Sequence, residues 1–198
     1  MTRMKVKQIA PWFGSQAAVN DQIIPLLGDP DWFYDMACGG CSLLLAKKRS
    51  RVEVLNDLHP GLVNVLRVLN GPRAGGVQKL LQGLIPCETL FDDAVAYRKA
   101  HGYIVTPNSF QAESKHVEAA FYQFIEWWLG QGGMAGTKDA DERPRMSKRY
   151  TEGGRSSTRL LAATASVEAF RERLRGVDIW HSDMMSVLPK IKDQNGTT

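Results

Sequence analysis

A glycine turn between two short apolar runs constrains the fold of this chain more than any other feature. In chain order, the pattern comprises Trp32-Phe33-Tyr34, Gly39-Gly40, Ser42–Lys48, Val52–Leu55 and Asn56-Asp57. It predicts a strand, a glycine turn, a helix with basic residues at its end, a second strand and an acidic residue. That order is the first half of a nucleotide-binding α/β unit.

The chemistry of such a unit depends on the two glycines and the acidic residue. Glycines let the backbone approach a ligand at a helix N-terminus, and the acidic residue accepts hydrogen bonds from ribose hydroxyls. Asp57 follows Gly39 by 18 positions, near the spacing of about 20 for that role. A βαβ turn in which Asp57 only caps a helix gives the same pattern, so both interpretations stay open.

Composition sets only broad limits. The chain has 198 residues, 43% hydrophobic and 23% charged, close to the averages of globular proteins, which argues against a disordered, collagen-like or coiled-coil chain. No apolar run approaches the length of about 18 residues that a membrane span needs, and the first residues do not form a signal peptide. We therefore expect a cytoplasmic protein, and the net charge of +4 is compatible with a nucleic-acid partner without requiring one.

Helical patterns dominate the rest of the chain. Helices are predicted over Pro60–Leu69, Lys79–Leu84, Phe91–His101, Ser114–Leu129, Val167–Leu174 and Ser186–Ile191, and a third strand over Val177–His181. The aromatic residues between Phe121 and Trp128 fall at helical spacing, which favours a place in the core over a base-stacking surface. Asp29-Pro30-Asp31-Trp32 is interpreted as a turn before the first strand.

A polar and basic stretch, Lys138–Arg159, is predicted to be a surface loop. Its cations are Arg143, Arg145, Lys148, Arg149, Arg155 and Arg159. Such a loop either contacts phosphates or is simply solvated, and charge alone does not separate the two.

Cys38-Gly39-Gly40-Cys41 has the spacing of zinc and redox motifs. A closed zinc site needs a second pair of ligands, and the four histidines are scattered, so no metal site is predicted. Redox chemistry would need the pair at a helix N-terminus, which this turn can provide. The favoured interpretation is that the two cysteines are small residues that fill a tight turn.

Five segments across residues 10–64 resemble, in order, the opening of the Dam-type adenine-specific DNA methyltransferases. They are Ala10–Gln16, Ile23–Leu27, Asp35–Ser42, Leu45–Lys48 and Val54–Asn64. Residues 119–122 and 175–183 resemble the recognition-region helix and third strand of that family. The match is dense in the first third of the chain and sparse between 71 and 165.

The resemblance implies an α/β fold with a Rossmann-like S-adenosylmethionine-dependent methyltransferase core. Residues 1–70 and 171–198 would form this core, with an incomplete sheet. Residues 71–170 would form an inserted, mainly helical target-recognition lobe. The implied activity is transfer of a methyl group from S-adenosylmethionine to the exocyclic amine of adenine in double-stranded DNA, as in restriction-modification enzymes.

The resemblance also assigns roles to individual residues. Trp12 and Gln16 would contact the cofactor, while Asp35, Gly39 and Gly40 would face its methionine part. Asp57 would hold the ribose, and Asp183 and Met184 would lie beside the adenine. The residues expected on DNA phosphates are Arg143, Arg145, Lys148, Arg149 and Arg155.

The chain departs from the family pattern in several places. The catalytic motif Asp-Pro-Pro-Tyr does not occur, and by family pattern it would follow Thr198. We therefore expect the N-terminal part of a methyltransferase, whose sheet a C-terminal segment or a second chain completes. Gln16 replaces the family's lysine, Met36-Ala37 replaces Pro-Phe, and Cys41 replaces the third glycine. The alternative is a catalytically inactive DNA- or cofactor-binding remnant that needs a second chain.

Overall fold

The computed structural model describes residues 4–106, 113–131, 134–148 and 155–191. Its strands are β1 (Trp32–Asp35), β2 (Val52–Asn56) and β3 (Asp178–Trp180), which form a parallel sheet in the order β1-β2-β3. The register pairs Tyr34 with Val54 and Val54 with Asp178. The α/β class and all three predicted strands are thereby confirmed.

Helices make up most of the remaining described chain. They are α1 (Asn20–Leu27), α2 (Ser42–Ala46), α3 (Pro60–Asn70), α4 (Ala74–Leu81), α5 (Glu88–His101), α6 (Ser114–Leu129), α7 (Lys138–Glu142), α8 (Ser156–Thr164), α9 (Val167–Leu174) and α10 (Met184–Val187). Short 3-10 helices cover Gln16–Ala18 and Leu188–Lys190.

Local signals explain the bounds of α3. His59 is its N-cap, and Pro60 occupies its first turn, where a missing N–H costs nothing. Gly71 follows its last residue, and the Gly71 N–H closes the final turn on Arg67 O at 3.0 Å. The predicted helix from Pro60 is therefore confirmed, and α9 has the bounds that its pattern predicts.

Helix α6 is the centre of the helical region, because α3, α4, α5 and α8 all pack against it. Phe124, Ile125 and Leu129 are wholly buried, and Trp127 and Trp128 nearly so. The prediction that these aromatic residues belong to the core is confirmed. The same hydrophobic cluster includes residues of β2 and α9, so these helices share one core with the sheet.

The predicted loop over residues 138–159 is wrong in two places. Helix α7 occupies Lys138–Glu142, and α8 begins at Ser156. Arg159 lies within α8, with its guanidinium 5.7 Å from the centroid of the Trp128 ring. Packing against the core converts this end of the polar stretch into helix, which local composition does not reveal.

Glu53 on the central strand joins three elements through buried ion pairs. Its carboxylate accepts hydrogen bonds from Lys47 Nζ at 2.8 Å and from Arg173 at 2.5 and 2.7 Å. Burial alone would raise the pKa of Glu53, but hydrogen bonds from Arg173, Lys47 and the Ser50 N–H outweigh it and lower that pKa to about 2. The end of α2 and helix α9 are thus fastened to β2.

Among the helices of the described residues, none combines the length and the apolar character that a membrane crossing needs.

Candidate functional site

The three parallel strands end in acidic residues at one edge of the sheet. Asp35 ends β1, Asp57 follows β2, and Asp183 follows the third strand by a short loop. The buried amide of Asn56 joins these ends, since its Nδ2 donates to Met36 O and Ser182 O, both at 2.9 Å. Ligands of open α/β sheets bind outside the carboxyl ends of the strands, so this edge is the candidate binding site of the chain.

The glycine turn beside this edge is held by Asp57. Asp57 Oδ2 accepts a hydrogen bond from the Gly39 N–H at 2.9 Å, and Oδ1 accepts one from the His59 N–H at 2.9 Å. The Cys41 N–H closes the turn on Cys38 O at 2.7 Å. Each carboxylate oxygen retains a second lone pair, so Asp57 orders the turn and can still accept further hydrogen bonds.

Trp12 explains why a glycine is needed in this turn. Gly39 has φ +46°, and a Cβ built there would lie 2.6 Å from Trp12 Cδ1. A Cβ on Gly136, which has φ +81°, would overlap the other side of the same indole. At Gly39 the group that approaches the backbone closely is the Trp12 ring, and at Gly40 it is the carbonyl oxygen of Ala10.

Asp35 is a carboxylate with no cationic partner among the described residues. Burial raises its pKa, a hydrogen bond from the Ala37 N–H opposes this, and the nearby Asp57 charge raises it further, to about 6. No lysine, arginine or histidine of the described residues pairs with it. Two neighbouring acids with no basic partner make this edge attractive to a positively charged ligand.

The structure brings together some of the predicted cofactor residues and not others. Gly39 contacts both Trp12 and Asp57, and Asp35 lies close enough to interact with Asp57. Gln16 is exposed, and its side chain hydrogen-bonds to no described residue. Asp183 and Met184 are exposed at the same sheet edge, where Asp183 Oδ1 caps α10 through the Met185 N–H at 3.0 Å.

The cysteines of the turn are buried and free. A hydrogen bond with the Cys41 thiol, and then burial, raise the pKa of the Cys38 thiol well above its ordinary value. Protonated, buried thiols are poor nucleophiles, which favours the packing role over a redox role. Cys41 has φ +58°, a left-handed backbone conformation that is strained for a residue other than glycine. Within the described ranges, no three His, Cys, Asp or Glu side chains are grouped to hold a metal.

The residues predicted to bind DNA have different surroundings. Arg143 and Arg145 are exposed, and neither side chain pairs with a described residue. Lys148 is also exposed but forms an ion pair with Glu88 at 2.6 Å. Arg155 is the N-cap residue of α8, and Arg149 lies outside the described residues.

A buried polar network at the other side of Trp12 was not expected from the sequence. Arg98 holds Glu126 through three hydrogen bonds of 2.8 to 3.0 Å and donates to Asp141 O at 3.0 Å. The Tyr103 hydroxyl donates to the Asp141 carboxylate. The network fastens α7 to α5 and α6. The one available signal was an acidic residue, Glu126, inside the otherwise apolar end of α6.

His59 lies between this network and the glycine turn. Its Nδ1 accepts the Leu62 N–H at 3.2 Å, and its ring packs edge-to-face with Trp12 and Tyr103, at centroid distances of 5.1 and 4.7 Å. Burial lowers the pKa of His59 despite the nearby charges of Asp141 and Asp57. The neutral ring therefore carries its proton on Nε2, which faces aromatic rings and has no hydrogen-bond partner.

Acidification is expected to destabilise the chain through His59. The folded-state pKa of His59 lies below the unfolded value of 6.5. The stabilisation that the neutral His59 ring gives to the fold is therefore present above pH 6.5 and is lost as the pH falls below that value. Protonation of Nδ1 removes the cap of α3, which is worth about 1 kcal/mol. Urea unfolding between pH 7.5 and 5.5 should show this loss, and His59→Asn, which keeps a capping oxygen, should reduce it.

His116 is the matched control for that measurement. Its pKa is also lowered by burial, and its Nδ1 accepts the Glu113 N–H at 2.9 Å. His116→Gln should remove only the part of the pH dependence that comes from His116 at the N-terminus of α6. An unchanged acid slope in His59→Asn would show that His59 does not titrate as described.

No protein-family model matches the chain, and no curated protein matches it in sequence. The resemblance to adenine-specific DNA methyltransferases therefore stays a prediction, argued from the residues of this chain.

Proposed function

We propose that this chain carries the S-adenosylmethionine-binding part of an adenine-specific DNA methyltransferase with a Rossmann-like core. The observation that carries the proposal is Asp35, a half-buried carboxylate beside Asp57 and the glycine turn that has no cationic partner in the described part of the chain. S-adenosylmethionine has a positive sulfonium, an ammonium group and a ribose diol. Its ammonium group can neutralise Asp35, and the free lone pairs of Asp57 can accept from the ribose hydroxyls.

Other features of the site fit the same cofactor. Trp12 supplies an aromatic surface beside the turn, and Asp183 and Met184 are exposed beyond the third strand of the sheet, where the adenine of the cofactor is expected. S-adenosylmethionine, when bound, supplies the methyl group. The residues of this chain would bind and orient it, while Arg143 and Arg145 would contact the phosphates of double-stranded DNA in the cytoplasm.

One observation favours the non-catalytic alternative. These 198 residues contain no Asp-Pro-Pro-Tyr, the motif whose carboxylate and backbone carbonyl accept hydrogen bonds from the target amine in the family that the chain resembles. Within the described residues, β1 pairs with β2 on one side only. We therefore propose that methyl transfer requires further strands, from a C-terminal segment or a second chain, and that cofactor binding does not.

The proposal is tested by calorimetric titration of the chain with S-adenosylmethionine. We expect saturable binding that Asp57→Ala abolishes, because this variant loses both the ribose acceptor and the hydrogen bond that orders Gly39. Asp31→Asn is the matched control, since this exposed acid precedes β1 and lies at the opposite end of the strand.

Thermal unfolding of each variant shows whether it is folded before it is titrated. No binding by a folded wild-type chain would overturn the proposal. Binding that survives in Asp57→Ala would place the cofactor elsewhere.

A further inference from the structure

The indole of Trp12 lies between two turns that are distant in sequence, the glycine turn and a turn over residues 134–137 that contains Gly136. Its five-membered ring lies against Gly39, where a Cβ would be 2.6 Å from Cδ1 and 3.1 Å from Cγ and Nε1. Its six-membered ring lies against Gly136, where a Cβ would overlap Cζ2 and lie 2.5 Å from Cε2. Both positions therefore require glycine as long as the indole stays in place.

The edges of the indole are enclosed as well. His59, the N-cap residue of α3, packs edge-to-face on Trp12 at a centroid distance of 5.1 Å. Trp127, which is nearly buried in α6, does the same at 5.8 Å. Close-packed groups of this kind transmit a displacement and do not absorb it. A push on the indole at one glycine is therefore passed on to the other.

The backbone that precedes and follows the indole joins the same two turns. The Ile9 N–H donates to Gly40 O in the glycine turn at 2.8 Å. The Phe13 N–H donates to Ala135 O in the second turn at 3.1 Å, and residues 12 and 135 form a parallel bridge. The segment that carries Trp12 is thus fixed to one turn at its start and to the other at its end.

The second turn leads into a segment that carries two unpaired cations, Arg143 and Arg145. Both side chains are exposed, and neither pairs with a described residue. The backbone of this segment is fastened, because Arg145 O accepts the Gln131 N–H at 2.9 Å and Asp141 O accepts from Arg98 at 3.0 Å. The position of the two guanidinium groups is therefore tied to that of the second turn.

We propose that Trp12 is a positioning residue that links the Gly136 turn to the glycine turn, so that the cofactor edge responds to the position of the segment with the two cations. Gly39 is where the response arises, since its N–H donates to Asp57 Oδ2, an acceptor expected for the ribose. The inference rests on the proposed function for the identity of the ligands. The contact between the two turns does not depend on it.

Gly136→Ala tests the link from the side that is remote from the cofactor edge. The added methyl group overlaps the six-membered ring of Trp12 and displaces an indole whose other ring lies against Gly39. We expect the Gly39 amide resonance to shift in nitrogen–proton correlation spectra, and the Gly39 N–H to exchange faster with deuterium. S-adenosylmethionine should bind about fivefold more weakly, the lower end of couplings between sites.

Gly83→Ala is the matched control for this variant. Gly83 also has a left-handed backbone, with φ +75° against +81° for Gly136, but a Cβ there would meet no atom within 4 Å. The two variants carry the same kind of backbone strain, and only Gly136→Ala reaches the indole. Gly83→Ala should leave the Gly39 amide and the cofactor affinity unchanged.

Trp12→Phe shows whether the effect passes through the indole. A single six-membered ring is shorter than an indole and leaves space for the methyl group of Gly136→Ala. Adding Gly136→Ala to Trp12→Phe should therefore change the affinity for S-adenosylmethionine by less than about twofold. Thermal unfolding of each variant shows that it is folded before it is titrated.

A reciprocal measurement needs no substitution at Gly136. Coupling between two sites acts equally in both directions, so saturating S-adenosylmethionine should shift the Gly136 amide resonance of wild type. This shift should be absent in Trp12→Phe. A Gly136 amide that does not respond to bound cofactor in wild type would overturn the proposal.

The other outcomes separate the link from the proposed function. An unchanged Gly39 amide in folded Gly136→Ala would overturn the link, as would equal changes in Gly83→Ala or changes that persist with Trp12→Phe. A wild-type chain that binds no S-adenosylmethionine, but whose Gly39 amide responds to Gly136→Ala only when Trp12 is present, refutes the proposed function and keeps the link.

Discussion

Glu53→Gln is expected to lower the free energy of unfolding by about 3–5 kcal/mol, the cost of breaking a buried ion pair from one side. The side chain of Glu53 is 2% exposed, and those of Lys47 and Arg173 are 4% and 12% exposed. Glutamine fills the same space but leaves two buried cations without a counter-charge. Urea unfolding at pH 7, followed by tryptophan fluorescence, measures the loss.

The pH dependence of stability gives an independent check on Glu53. Its folded-state pKa of about 2 lies below the ordinary value of 4.5, so the stabilisation is present above pH 4.5 and is lost as the pH falls toward 2. Glu53→Gln should lack this part of the acid slope. Glu172→Gln, on the exposed face of α9, is the control and should change stability by less than about 0.5 kcal/mol. A similarly small change in Glu53→Gln would contradict the role assigned to the ion pairs.

Asp35→Asn is expected to have two effects of opposite sign. At pH 7 the variant should be more stable than wild type by about 1–3 kcal/mol, because the pKa of Asp35 rises from 3.8 to about 6 and each unit corresponds to about 1.4 kcal/mol. The variant should also bind S-adenosylmethionine at least about tenfold more weakly, since a charge-assisted hydrogen bond to its ammonium group is lost.

The sign of the first effect follows from linkage. The folded-state pKa of Asp35 is raised, so its favourable contribution is present below pH 4 and is lost as the pH rises through about 6. Wild type and Asp35→Asn should therefore differ little at pH 4 and most above pH 6. Asp31→Asn, at the exposed start of the same strand, should show neither effect. Destabilisation of the Asp35 variant at pH 7 would mean that the carboxylate has a favourable partner in the folded chain.

At Asp35, the stability of the ligand-free fold and the affinity for a cationic ligand make opposite demands, as they often do at functional sites. A carboxylate held half-buried beside a second carboxylate reduces the stability of the ligand-free fold, and a cationic ligand relieves that cost when it binds. This is why the stability and binding measurements on Asp35 are informative together. A variant that gains stability and loses affinity identifies a group that is retained for binding.

Elements with a strong local pattern could be predicted from the sequence alone. The strand, turn, helix and strand around Gly39 follow from apolar periodicity and glycine placement, and α3 follows from Pro60 at its start and Gly71 at its end. Helix α7 could not be predicted in this way. Its five residues are polar and short, and they are held in place by the contacts of Asp141 with Tyr103 and Arg98.

The sequence by itself determined the α/β class, the acidic residues at the strand ends and the burial of the α6 aromatics. Each of these follows from the pattern of apolar, glycine and acidic residues within a short stretch of sequence. Only the tertiary structure decided that the Trp12 ring lies against Gly39 and that Asp35 has no cationic partner among the described residues. These properties depend on atoms that are distant in sequence, and burial, pairing and close approach arise only when the chain packs.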